Sequence, residues 1–244
     1  MDPSLNTLPH LFTLLAHIGG SSGNANQLNP GNALWQKALE FMERFDPVQL
    51  RYAGVEFRRL FGLIAEKIRL LHSRPAQQAM TLSALGSAIL RVDPSGATFT
   101  SSHLVFVRKC LEARAYSEAL PVLNQSIFYF PPTTKKGAEH SLYPHLSSNH
   151  ESSSTFITSE SCLSAKLDYR DHLQYFLYGA MCYIGLKEWK RALLFLEMVI
   201  ISPVVDNASK IQVEAYKKFL LVGLLYKGYV SRASTWTAGA GAND

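Results

Sequence analysis

Apolar residues recur at three- and four-residue spacing along most of the chain, the pattern of amphipathic helices packed on a shared core. Leu8, Leu11, Phe12, Leu15 and Ile18 mark a first helix over 5–18, stopped by Gly19-Gly20. The run GGSSGNANQLNPG over 19–31 has the composition of a flexible connector. Asn32 suits the N-cap of a helix carrying Trp35, Ala38, Leu39, Met42 and Phe45, which Asp46-Pro47 ends. Pro47 fits the first turn of a following helix, where a missing N–H costs nothing. That helix carries Leu50, Val55, Phe57, Leu60, Leu63, Ile64, Ile68 and Leu71. A Ser73-Arg74-Pro75 turn leads into a helix over 76–92, broken by Asp93-Pro94-Ser95-Gly96. Helices over 101–113 and 117–129 follow, closed by Pro131-Pro132.

The pattern then changes. Over 132–164 Ser, Thr, His, Pro and Asn crowd the chain and apolar periodicity is lost, which predicts a disordered insert between helices. Helical spacing resumes over 166–184, 187–201 and 206–229, and 231–244 has little to bury. The predicted organisation is an N-terminal helix and linker (1–31), helical repeats (32–131), a Ser/His-rich disordered insert (132–165), further repeats (166–230) and a disordered tail (231–244). No stretch alternates with period two between hairpin turns, so essentially no sheet is expected.

Three helices begin on the same pentapeptide, aromatic-x-x-Ala-Leu. The copies are Trp35-Gln36-Lys37-Ala38-Leu39, Tyr116-Ser117-Glu118-Ala119-Leu120 and Trp189-Lys190-Arg191-Ala192-Leu193. Four residues past each alanine stands a large apolar residue (Met42, Leu123, Leu196), and a proline closes each helix (Pro47, Pro131, Pro203). This is the second-helix signature of tetratricopeptide-like repeats. A small alanine lets a bulky residue of the first helix approach, and the proline forbids continuation. The third copy also has first-helix elements, Tyr175 and Tyr178-Gly179, with Gly185-Leu186-Lys187 as the turn and Gly185 suited to a left-handed helix stop. The second copy has Val107 where a small residue belongs, and the first lacks a recognisable first helix. The predicted fold class is all-α, a right-handed α-solenoid of helix–turn–helix repeats. Helices apolar nearly all round, at 173–184 and 216–226, point to a packed solenoid or a surface completed by partners, not an open charged groove. Apolar patches left uncovered would make the chain aggregation-prone alone.

Composition narrows the function. The 244 residues are 47% hydrophobic and 18% charged, a globular balance with a net charge of +5. Basic residues are scattered (Arg58-Arg59, Lys135-Lys136, Lys217-Lys218) without aromatic interleaving, which argues against nucleic-acid binding. Cys110, Cys162 and Cys182 have neither metal nor redox spacing. The start, Met1-Asp2-Pro3-Ser4, does not read as a secretory leader, and the longest apolar run, 219–226, is too short to span a bilayer, so an intracellular protein without membrane contact is expected. The Asn124-Gln125-Ser126 and Asn207-Ala208-Ser209 sequons then read as chance matches.

The stretch from Asp168 to Val230 resembles the third subunit of the COP-nine signalosome. The residues that carry the resemblance are Tyr178-Gly179, Tyr183-Ile184-Gly185-Leu186-Lys187, Arg191-Ala192-Leu193, Pro203 and Glu214-Ala215-Tyr216-Lys217-Lys218. Arg51-Tyr52 and the Arg74-Pro75 turn are compatible with the family's earlier helices. The resemblance implies a non-enzymatic, architectural subunit of a nuclear and cytoplasmic complex that removes the ubiquitin-like modifier Nedd from cullins. It implies the other signalosome subunits as partners and cullin-RING ubiquitin ligases as indirect ones, with the zinc-dependent isopeptidase on a different subunit. The Gly- and Ala-rich ending is unlike the family, and no segment resembles its winged-helix PCI domain, so the resemblance covers the N-terminal helical part. That domain and the family's final helix supply its main assembly contacts, so the resemblance leaves stable incorporation of this chain without its usual basis. The alternative reading from the repeats alone is a free-standing adaptor that binds a peptide or a helical partner.

No constellation supplies chemistry. His140, His145 and His150 with Glu151 stand at five-residue spacing with no Cys partner, a chance grouping and not a ligand set. His-x-His and a P-loop are absent from the sequence. We therefore expect no catalytic, cofactor-binding or metal-binding residue, no cofactor and no small-molecule substrate. The Ser/Thr-rich stretch 147–161 reads as a plain linker that is also suited to accepting phosphate.

Overall fold

A computed structural model describes residues 2–19, 28–130, 153–158, 160–203 and 209–228. The helices among them are α1 Thr7–Gly19, α2 Ala33–Arg44, α3 Pro47–Leu50, α4 Gly54–Lys67, α5 Pro75–Val92, α6 Ser101–Glu112, α7 Tyr116–Leu123, α8 Ser153–Phe156, α9 Tyr169–Gly185, α10 Trp189–Ile201 and α11 Lys210–Lys227. A 3₁₀ turn, Ile68–Leu71, extends α4. The chain divides into two compact units, one through Asp168 and one from Tyr169 onward.

The core of the first unit is built on a run of aromatic rings. His10, Phe41, Phe45, Phe57 and Phe61 follow one another with centroids 5.7, 5.6, 5.5 and 6.0 Å apart, drawn from α1, α2 and α4 and from Phe45 just beyond α2. Asn32 caps α2 by accepting from the Trp35 N–H at 2.8 Å, as its position predicts. Asp46 caps α3 and Pro47 occupies its first turn. α1 is tied down through Thr7, whose Oγ1 accepts from the Asp46 N–H at 2.8 Å and whose N–H donates to Gln49 Oε1 at 3.2 Å. Gly86 on α5 leaves room for the buried Phe106 ring of α6; a Cβ there would sit 3.1 Å from it.

Three predicted elements are revised. The single helix expected from Pro47 to Leu71 is broken at 51–53, because Gly54 starts a new helix where another backbone segment lies against it. The helix expected over 117–129 ends at Leu123. The β-prone Ile127-Phe128-Tyr129 that follows is drawn instead into a backbone pairing with Ala97–Phe99. Phe99 N–H donates to the Tyr129 carbonyl, and the Phe128 and Tyr129 N–H groups donate to that of Ala97, at 2.8–2.9 Å. This is an isolated parallel bridge at Thr98 and Tyr129, and no strand forms among the described residues.

The third revision concerns the insert. Residues 131–152 lie outside the described residues, but 153–158 and 160–165 are not disordered: they fold onto the first unit. Phe156, Ile157 and Leu163 are buried there, and the Arg51 guanidinium stands 3.9 Å from the Phe156 ring centroid. Serine-rich composition predicts little burial, yet hydroxyls satisfied by one another and by backbone enter the interior without penalty.

The second unit packs α10 against both α9 and α11. Phe195 of α10 inserts between Phe176 and Tyr183 of α9, at 5.2 and 5.0 Å. Ser209 caps α11 reciprocally with Gln212, whose side chain also donates to the Ser202 carbonyl at 3.0 Å. Gly228 ends the helix in the left-handed conformation. The tail predicted over 231–244 lies outside the described residues.

Candidate interaction surfaces

The repeated pentapeptide places its alanines alike. Ala38, Ala119 and Ala192 are each 0% exposed, and Met42, Leu123 and Leu196 are buried one turn on. Gly179 of α9 is buried as its small size predicts, and Val107 fills the corresponding region of the second copy. The α6–α7 and α9–α10 turns are superimposable in hydrogen bonding. Ala115 N–H donates to the Cys110 carbonyl and Arg114 N–H to that of Leu111; Glu188 and Lys187 bond Tyr183 and Ile184 in the same pattern. This is the Schellman closure, with Arg114 (φ 56°) and Lys187 (φ 61°) in the left-handed position. Gly185, expected to make that stop, is instead the last residue of α9. The stop falls two residues later, since it is the residue after the last helical carbonyl partners that must reverse.

Reactive side chains are buried individually. Burial pushes the Cys182 thiol up to about 12, which leaves it protonated and unreactive. His103 is lowered to about 4, first by burial, with Asp93 opposing. Its Nδ1 accepts from the Thr100 N–H at 3.2 Å and lies 2.8 Å from Thr100 Oγ1, so the neutral ring takes the third position of the α6 capping box, where Glu or Gln is usual. Burial also raises Tyr175 and Tyr183 on α9. Among the described residues no group of three His, Cys, Asp or Glu side chains converges as a metal site. His140, His145, His150 and Glu151 lie outside the described residues. No described helix is long and apolar enough to cross a membrane.

What the molecule offers is surface. α11 buries Ala215, Phe219 and Val222 but turns Val213, Tyr216, Leu221, Leu224 and Leu225 outward, Leu221 at 63% and Leu225 at 69% exposure. α10 adds Leu194, Met198 and Ile201, spaced four and three residues apart along one outer stripe. α11 is therefore covered on one side only by the described residues, which fits the expected surface open to partners and not a fully packed solenoid. In the first unit Phe128, Tyr129 and Phe130 are exposed in succession beside the bridge. A recess of about 760 Å³ lies along the 3₁₀ turn and the end of α6, lined by Lys67, Arg69, His72 and Lys109 with Glu66 and Glu112. Its mixed charge, with Lys109 and Glu112 paired at 2.7 Å, selects no one sign of ligand.

Paired helices closed by a shared turn, with buried alanines at their crossings and apolar side chains facing out, define a helical-repeat protein. The chain belongs to the family described as COP9 signalosome complex subunit 3, N-terminal helical repeats, whose model matches residues 1–142 and 150–240. Similar proteins named COP9 signalosome complex subunit 3 occur in Emericella nidulans (37% identical over 93% of this chain), Neurospora crassa (29% over 93%) and Drosophila melanogaster (28% over 95%). The chain spans 45%, 44% and 47% of their respective lengths. The family match runs beyond the Asp168–Val230 stretch in both directions and reaches residue 240, within the tail that was expected to be unlike the family. Uncovered apolar surface was expected, but not which residues form it, because periodicity reports how apolar a helix is, not which side its neighbours cover.

Proposed function

We propose that this chain is a non-catalytic structural subunit of the signalosome, holding neighbouring subunits through its helical-repeat surfaces. The complex it serves removes the Nedd modifier from the cullins of ubiquitin ligases, in the nucleus and cytoplasm, with the isopeptidase on another subunit. Cullin-RING ligases are met indirectly; no cofactor, small-molecule substrate, nucleic acid or membrane enters the role. The observation that carries this reading is the apolar outer face of α10 and α11, on a chain whose family is named for a subunit. A contiguous exposed apolar face of this kind marks a surface that other protein covers. The neutral, buried state of Cys182 and His103 suits a scaffold better than a catalyst.

Affinity purification of the tagged chain followed by mass spectrometry tests the assignment. Co-recovery of other signalosome subunits is expected, and its loss on Leu221→Glu/Leu225→Glu places the contact on α11. Recovery of chaperones alone overturns the reading. Cullin deneddylation by the purified chain would overturn its non-catalytic part.

A further inference from the structure

The segment 153–165 is held unlike the rest of the core. Beyond the single turn of α8 it has no regular structure, and much of its binding is side chain to backbone. Arg58 Nε donates to the Cys162 carbonyl at 2.6 Å. Ser101 and the segment clasp each other: the Ser101 N–H donates to Ser164 Oγ at 3.0 Å, and the Ala165 N–H donates to Ser101 Oγ at 2.9 Å. At the other end Ser153 Oγ meets Thr98 Oγ1 at 2.7 Å and Ser95 Oγ at 3.4 Å. Between these clasps Phe156 and Ile157 are the apolar anchors, with Leu163 behind them. Gly54 at the start of α4 has no side chain where the segment passes, and a Cβ there would collide with the Ser161 carbonyl. The fit is imperfect. A void of about 10 Å³ remains between Ile157 and Leu163 and the wall of Phe57, Ile89 and His103, and Cys162 is in the left-handed region at φ 52°, which costs an L-residue stability.

Side-chain-to-backbone clasps, two adjacent apolar anchors and a glycine floor together hold a peptide segment in a cleft. We propose that the cleft between the N-terminal ends of α4 and α6 and the C-terminal end of α5 is a peptide-binding groove, occupied in cis by residues 153–158 and 160–164. The peptide it fits opens with a neutral Ser or Thr, places an aromatic–aliphatic pair three and four residues on, and ends in a leucine. The first position excludes negative charge. Buried Asp93 already accepts from Ser95 Oγ (2.6 Å), Ser95 N–H (3.1 Å) and Thr98 N–H (3.0 Å), one hydroxyl away from Ser153. A carboxylate or phosphate at Ser153 would stand against that carboxylate in a dry site.

Hydrogen exchange on the intact chain tests this together with a synthetic peptide of sequence 153–165. In the wild-type chain the segment's amides should exchange at least about tenfold faster than those of α5, opening as a unit of their own. Ser153→Asp should speed their exchange by about another tenfold and leave 169–228 unchanged. Gly54→Ala should do the same, since alanine suits the first turn of α4 while blocking the floor. The peptide should bind the Ser153→Asp chain and protect the groove walls, whereas a peptide carrying Asp at its first position should not. Exchange of the segment at the α5 rate in the wild-type chain, or failure of the peptide to bind the Ser153→Asp chain, overturns the proposal. If both variants misfold, the wild-type exchange decides alone.

Discussion

The hairpins α6–α7 and α9–α10 share one Schellman turn and one buried alanine, yet the units around them are built differently. In the second unit the hairpin continues into α11, and each helix packs on its neighbours in sequence. In the first, α7 is cut to eight residues, and the core is completed from a distance. Thr7 reaches Gln49, Arg58 reaches Cys162, and Ser101 reaches Ser164, across 42, 104 and 63 residues. The second unit is thus closed by local contacts and leaves an apolar face outward on α10 and α11, whereas the first brings in remote segments to complete its core. A repeat motif specifies a helix pair; it does not specify what covers the pair.

The largest separation of the two units is expected from the aromatic run. Phe57→Ala should cost the first unit about 3–5 kcal/mol, read as a lower denaturant midpoint for it with exchange protection over 169–228 unchanged. Equal loss in both units would show that they do not fold independently.

Acid should separate them next. The folded pKa of His103, about 4, lies below the ordinary 6.5, so the neutral ring is the one the fold prefers. Its contribution is intact above pH 6.5, falls as pH drops, and is lost by about pH 4. The full loss is about 3 kcal/mol. His172 in the second unit is lowered by burial too, with the same sign. Stability followed from pH 7 to 4 should show the slope, and His103→Gln, which keeps a capping-box residue without the titration, should reduce it in the first unit alone, leaving the part due to His10, which burial lowers as well.

The shared alanine gives a smaller, symmetrical effect. Ala192→Leu should destabilise the second unit by about 1–3 kcal/mol, and Ala119→Leu the first by a similar amount, measured by thermal unfolding. A neutral result at Ala119 would mean that the truncated α7 has room the full hairpin lacks. Smallest are the turns themselves. Arg114→Gly and Lys187→Gly each relieve a left-handed L-residue and should stabilise by about 0.5–1 kcal/mol. Equal gains at both would confirm that the two turns are one device; unequal gains would separate them.

Much of the fold is legible in the residues. Asn32 and Pro47 mark their helix starts, the alanine pentapeptides mark three helix crossings, and the cluster around Tyr183-Ile184-Gly185-Leu186-Lys187 carries the family likeness. These signals are local: a cap or a small residue acts within a turn or two of its own position, so the sequence displays it. Three features were not legible for the opposite reason. The break before Gly54 answers a backbone more than a hundred residues later. The stop at Lys187 in place of Gly185 follows from where the last helical carbonyls end. The packing of 153–165 depends on hydroxyls that find partners only in the folded chain.

The sequence by itself determined that this protein is helical, that it contains repeated helix pairs and which family it resembles, because helix period, caps and crossing alanines are set by neighbours along the chain. Only the tertiary structure decided which apolar faces stay open and that a serine-rich stretch becomes part of the interior. Burial is a property of what lies across a contact, and for α11 and for residues 153–165 that is fixed by segments the local pattern does not name.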